Sequence, residues 1–138
     1  MNIKITKNFT LDELVKSSTA DSKGINNTPT LDQVENLMTL TRELLQPVRD
    51  RLGKPMNVNS GFRTSELNSV VGGSRTSDHM AGRAADIRTD NPRELFNLVR
   101  ESGLSFDQLI LYPTFVHMSY RSEKENRNQV LYAKGVTP

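Results

Sequence analysis

The chain contains two histidines, His79 and His117, and no cysteine. Disulfides and thiolate metal sites are therefore excluded, and any bound metal must be held by imidazole and carboxylate. His79 lies in the run Ser77-Asp78-His79-Met80-Ala81-Gly82-Arg83-Ala84-Ala85-Asp86, and His117 in Val116-His117-Met118-Ser119. A catalytic zinc ion takes three protein ligands of nitrogen or oxygen type and keeps a fourth position for water. His79, Asp86 and His117 meet that need with two imidazoles and one carboxylate. Gly82 allows a tight turn, so that His79 from a loop and Asp86 from a strand can converge. This is not the helical H-E-x-x-H arrangement, and other divalent ions accept the same donors. A single histidine is more often an ordinary surface or core residue, and Asp86 alone could pair with Arg83 or Arg88. The joint pattern is what points to a metal.

The elements that must position these residues are legible in part. Thr10-Leu11-Asp12-Glu13 forms a capping box, which predicts a short helix through Leu14 and Val15. Ser17 to Thr28, rich in Ser, Asn, Asp and Gly, reads as a loop. Thr30-Leu31-Asp32-Gln33 is a second capping box. After it, Leu31, Val34, Leu37, Met38, Leu44, Leu45, Val48 and Leu52 recur at helical spacing, a core-facing stripe ending near Gly53. Pro47 lies inside this helix and should kink or break it. Met56–Ser60 alternates like a strand, Ser65 to about Val71 is a short helix, and Gly72-Gly73-Ser74 a turn. Ala84–Arg88 reads as a short buried strand. Asn91-Pro92-Arg93-Glu94 starts a helix that runs to about Ser102. Phe106–Tyr112, Phe115–Arg121 and Gln129–Lys134 read as strands, the first two joined as a hairpin by Pro113-Thr114. The expectation is one α+β domain over 1–138, with helices packed on a small antiparallel sheet.

Ser77-x-His79-x-x-Gly82-x-Ala84-x-Asp86 resembles the signature of the zinc D-Ala-D-Ala carboxypeptidases and their L-Ala-D-Glu endopeptidase relatives, to which the zinc domain of hedgehog proteins is a distant structural cousin. Five specified positions arise by chance at about one start site in 10⁶. The likeness to the compact, one-domain branch extends through Phe9–Leu14, Leu45–Arg49, Ser60-Gly61-Phe62-Arg63, Leu67-Asn68, Val71–Ser74, Phe106–Ile110 and Val116–Ser119, nearly the whole chain. It implies that His79, Asp86 and His117 hold Zn²⁺. Ser60–Arg63 is similar to the family's Ser-Gly-Tyr-Arg segment, which implies that Arg63 stabilises an oxyanion or grips a substrate carboxylate. Ser77 would line the same cleft and bond the peptide. Many members carry a carboxylate a few residues before the last histidine, as general base. Tyr112-Pro113-Thr114-Phe115-Val116 has none. Asp107 is the nearest upstream acid, and Tyr112 is a hydrogen-bond donor but a poor base near neutral pH. Each also has a plainer reading: Arg63 as a carboxylate anchor, Ser77 as a turn former, Asp107 as a backbone fixer, and Tyr112 as hairpin packing.

The 138 residues carry a formal net charge of +2, with 35% hydrophobic and 25% charged residues. That composition excludes a disordered tail, and no apolar run approaches the roughly 20 residues of a membrane span. Arg121, Lys124 and Arg127 with Glu123 and Glu125 read as a solvated loop, and no aromatic-basic interleaving suggests nucleic acid. Met1–Asn8 is too polar for a secretory signal. The expectation is a monomeric enzyme made in the cytoplasm that reaches the wall only if delivered, as a phage or prophage lysis enzyme. Its substrate would be the peptidoglycan stem peptide, cut as a D-Ala-D-Ala carboxypeptidase or an L-Ala-D-Glu endopeptidase. The alternative is a non-catalytic zinc domain that binds wall peptides or serves phage tail assembly.

Overall fold

In the computed structural model, which describes residues 2–138, the chain opens with a two-stranded antiparallel ribbon, β1 (Lys4–Thr6) and β2 (Phe9–Thr10). These strands are too short to show alternation in the sequence. Helix α1 (Leu11–Val15) follows with both halves of the expected capping box formed between Thr10 and Glu13. The segment expected as a loop contains a helix, α2 (Ser18–Lys23). Its polar composition hides it, but its ends are well made. The Ser17 side chain accepts from the Ala20 N–H, and Gly24 closes the helix at φ +66°.

The long apolar stripe forms α3 (Leu31–Leu40), a π-helical turn (Thr41–Leu45) and α4 (Gln46–Leu52). The expected break at Pro47 is this wide turn. Proline lacks an N–H, and its ring would clash with the carbonyl four residues back in a regular helix. One extra residue per turn relieves that conflict just before Pro47 without interrupting the helix. Leu37, Leu44, Leu45 and Val48 are fully buried as the periodicity requires, but Leu31, at the first helical position, is 75% exposed. It sits beyond the end of the core.

The main sheet holds β3 (Asn57–Ser60), β4 (Ala84–Arg88), β5 (Gln108–Leu111), β6 (Val116–Ser119) and β7 (Gln129–Tyr132), in the order β3-β4-β6-β5-β7. Three of the pairings are antiparallel, but β5 and β7 run parallel, so the sheet is mixed rather than antiparallel throughout. The cause lies in the segment between β6 and β7, which crosses back to the start of β5. There the Asn128 N–H donates to Phe106 O at 2.8 Å, and the Asn128 side chain accepts the Phe106 N–H at 3.1 Å. Asn128 adopts φ +52°, a left-handed conformation that asparagine tolerates better than most residues.

After the short helix α5 (Ser65–Val70), helix α6 (Pro92–Glu101), capped by Asn91, packs with α3 and α4 on one face of the sheet. Its Leu95, Phe96 and Val99 are fully buried. Strand side chains alternate between faces. Ala85 and Ile87 of β4, Leu109 and Leu111 of β5, and Val116 and Met118 of β6 all enter the core. Asp86, Ile110 and His117 must then point to the other face. A fold built to bury one face thus presents the chemistry on the opposite one.

Candidate metal centre

Three separate stretches of backbone converge on that face. Asp86 on β4 and His117 on β6 are direct cross-strand partners in the antiparallel register. His79 arrives from a single 3₁₀ turn, Asp78–Ala81, which the Ser77 hydroxyl caps by accepting the His79 N–H at 3.2 Å. Gly82 ends that turn at φ +75°, where a Cβ would also lie 2.6 Å from the Gln33 carbonyl oxygen. Only glycine fits there. The loop after β3 completes the frame. The Phe62 N–H donates to Leu14 O at 2.7 Å, and the Arg63 N–H to His79 O at 3.1 Å. A Cβ on Gly61 would run into the Leu14 carbonyl, so this loop also depends on glycine for its close approach.

The ligand atoms are poised for a metal. The His79 ring is buried, and its Nδ1 lies 2.6 Å from Gly61 O. A carbonyl can only accept, so the proton sits on Nδ1 and the Nε2 lone pair faces the site. That Nε2 is 3.3 Å from Asp86 Oδ1, and His117 Nδ1 is 2.9 Å from the same oxygen. One donor atom from each of the three residues falls within 4.8 Å of the others. Tetrahedral zinc with bonds of about 2.0–2.1 Å needs donors roughly 3.3 Å apart. The geometry and the N₂O donor chemistry fit zinc. Burial pushes the Asp86 carboxyl up, but its close contacts with the His117 and His79 rings outweigh that and hold it well below the usual carboxylate range. The ligand is thus ionised at neutral pH.

Around the three ligands runs a cleft of about 610 Å³, lined by Arg63, Ser77, Tyr112 and Phe115 among others. Arg63, Ser77 and Tyr112, predicted from the sequence, are all brought to it. The Arg63 Nη1 donates to Asn68 Oδ1 at 3.1 Å, and its Nη2 lies 3.9 Å from Asp86 Oδ2. Among the described residues, its buried Nε has no hydrogen-bond partner. Tyr112 stacks on Phe115 with ring centroids 4.4 Å apart, and burial raises its phenol pKa, so its hydroxyl stays protonated. It serves both readings, as hairpin packing and as a wall of the cleft.

Asp107 is placed elsewhere. Its fully buried carboxylate accepts from the Arg127 N–H, Nε and Nη2 at 3.1, 3.0 and 2.8 Å, and does not line the cleft. Arg121 Nε lies 3.2 Å from its other side, close enough for an ion pair but not aligned as a hydrogen bond. The expected solvated loop holds for Glu123, Lys124 and Glu125, which are exposed, whereas Arg121 and Arg127, partly open to solvent, reach onto Asp107 and line the cleft. The sequence carries no local signal for this, because the partners are 14 and 20 residues apart. Asp78, Ile110 and Phe115 also line the cleft, and the two-residue period through His117 and Asp86 marks the last two in retrospect.

Asp107 gives a pH prediction. Burial raises its pKa, but hydrogen bonds from Arg127 and the charges of Arg121 and Arg127 lower it further, so the net shift is downward. A depressed carboxylate contributes stability that is complete above its unfolded value, about 3.9, and is lost as pH falls through its folded value. The melting temperature is expected to fall below about pH 4, and the Asp107→Asn variant to be lower at neutral pH but flatter across that acid range. Parallel curves for the two proteins would remove Asp107 from the acid transition.

Residues 7–119 match the model of the Peptidase M15 family. The chain belongs to that family, and His79, Asp86 and His117 form a candidate zinc site within the matched stretch. Over 81 residues it is 41% identical to the zinc D-Ala-D-Ala carboxypeptidase of Streptomyces albus G. That match covers 58% of this chain but 31% of the relative, so the chain spans about a third of that protein's length. Among the described residues, no helix is long and apolar enough to cross a membrane.

Proposed function

We propose that this chain hydrolyses peptidoglycan stem peptides, and that it cuts within the peptide, at L-Ala-D-Glu, rather than only trimming the D-Ala end. The observation that carries this reading is the shape of the cleft. Beyond Arg63 a second cavity of about 290 Å³ continues past Lys16, Ser17, Asn59 and Ser60, sharing Arg63, Val71 and Asp86 with the first. Asp86 therefore borders both cavities, which leaves room for residues on both sides of a scissile bond. A carboxypeptidase needs one side closed around a chain end. The relative's name supports the terminal cut instead, and the products decide between them.

When bound by His79, Asp86 and His117, zinc supplies Lewis acidity that polarises a peptide carbonyl and lowers the pKa of coordinated water. Arg63 directs its charge and its Nη2 N–H groups, 3.9 Å from Asp86 Oδ2, toward the oxygen that becomes negative in the transition state. Ser77 and Tyr112 hold the peptide by hydrogen bonds. Among the described residues lining the cleft, Asp78 is the carboxylate outside the ligand set, and it takes the proton-accepting role that Asp107, behind its arginines, does not reach. Asp78→Asn is expected to keep its zinc and lose about 10²-fold or more in kcat. An undiminished kcat would leave Asp78 as only the ion-pair partner of Arg121, 3.4 Å away.

The absence of a carboxylate from Tyr112 to Val116 favours the second reading, a zinc domain that binds wall peptides or serves phage tail assembly without cutting. Digestion of purified peptidoglycan with and without chelator, with fragments identified by mass, separates the readings. Chelator-sensitive release at L-Ala-D-Glu supports the internal cut, and loss of terminal D-Ala alone moves the activity to the carboxypeptidase. Stoichiometric zinc with intact peptidoglycan leaves the binding domain.

A further inference from the structure

The wall of the cleft formed by Arg121 and Arg127 lies beyond residue 119, outside the stretch that matches the family. Both guanidiniums are partly open to solvent, with side chains 34% and 48% exposed, while the carboxylate that holds them is 0% exposed. Fastening the segment before β7 needs no such pair. Arg127 alone satisfies Asp107 with two side-chain hydrogen bonds and one backbone hydrogen bond. The second arginine is an addition, shared by ion pairs between Asp107 and Asp78. Among the described residues, neither Nη1 donates a hydrogen bond to the protein. Three guanidiniums, those of Arg63, Arg121 and Arg127, face the cleft against the two carboxylates of Asp78 and Asp86. A guanidinium whose inner edge is locked presents its remaining N–H groups in a fixed direction, the arrangement that suits a carboxylate.

We propose that Arg121 and Arg127, held side by side by buried Asp107, form a carboxylate-reading wall that selects peptides bearing a free carboxylate beside the scissile bond. This rests on the stem-peptide reading above. In an L-Ala-D-Glu unit one glutamate carboxyl is spent in the chain and the other remains free, so that second carboxylate is the group read. Asp107 is the positioning residue and touches no substrate. The two arginines are the specificity residues.

The test uses the full zinc-loaded chain and two fluorescent stem peptides that differ only in this group, one with the D-Glu carboxylate free and one with it amidated. Cleavage and fluorescence-polarisation binding are both measured, so a failure to cut any peptide tells against the peptidase reading while binding still reports the preference. The wild-type chain is expected to favour the free carboxylate about 10-fold in KM and in binding. Arg121→Gln, which leaves Asp107 paired with Arg127, should shrink the ratio between the two peptides to about 2-fold with zinc content unchanged; the ratio is the readout, because Arg121 also pairs with Asp78 and its loss changes turnover of both peptides. Arg127→Lys, which keeps the charge but not the fork, should fall between. A wild-type preference near unity overturns the proposal. So does a preference that survives in both variants, or an equal loss for the two peptides, which marks a structural clamp only.

Discussion

A His117→Ala chain is expected to bind zinc more than about 100-fold more weakly than the native protein and to lose hydrolysis with it. The lower bound follows from what outer-shell partners of metal ligands are worth, about 10–100-fold, since a direct ligand contributes more. Two donors then remain, and Asp86 loses the partner that lay 2.9 Å from its Oδ1. His79→Ala should act in the same way, with an added cost in folding. The His79 ring is buried, and its removal leaves Gly61 O without the donor 2.6 Å away. The His117 ring lies at the cleft surface, so this variant should stay folded by circular dichroism while elemental analysis finds the metal gone. Zinc retained at one per chain in His117→Ala would show that the ion is not held by this set. Because zinc binds the folded chain, the native protein should also melt higher with zinc than after chelation, and His117→Ala should lose most of that difference.

The second large effect separates binding the metal from using it. Arg63→Ala is expected to keep its zinc and lose about 10²–10³-fold in kcat, the usual cost of removing one donor to a developing oxyanion. The guanidinium lies 3.9 Å from Asp86 Oδ2 without a hydrogen bond to it, so the ligand does not depend on Arg63 for its placement. Burial lowers the Arg63 pKa against the opposing pull of Asp86 and Tyr112, the mark of a cation kept poorly solvated. Such a donor interacts strongly with a charge that appears only in the transition state. Arg63→Lys should recover part of the rate, since the charge returns without the planar fork. Full activity in Arg63→Ala would return this residue to the role of an anchor for Asn68. Loss of zinc along with the rate would make it a support of the ligand set instead.

The local features of this protein were readable because their causes are local. The capping boxes at Thr10 and Thr30 form between residues three apart, and both appear as expected. Likewise, the stretch from Ser77 to Asp86 contains a ligand, its capping hydroxyl, the glycine that turns the chain and a second ligand within ten positions. Even Pro47 announced an irregularity, though the backbone answered with a wide turn rather than a kink. Helix α2 escaped because its end caps are small polar residues, the same types that make loops, and a single buried alanine leaves no stripe to detect.

What the sequence by itself determined is the candidate donor set: with two histidines and no cysteine, few combinations could hold zinc, and the spacing around Gly82 points to one of them. The tertiary structure alone decided what surrounds that set. The parallel seating of β7 beside β5 brings Arg127 onto Asp107, and the Leu14 carbonyl fixes the loop that orients His79. These contacts join residues 20 and 48 positions apart, and a side chain's partner at such separations is set by the register of strands and the packing of a shared core. A carboxylate in the sequence is the same symbol whether it meets water, a metal or an arginine; folding removes the water and leaves it with whichever partner the backbone has carried there.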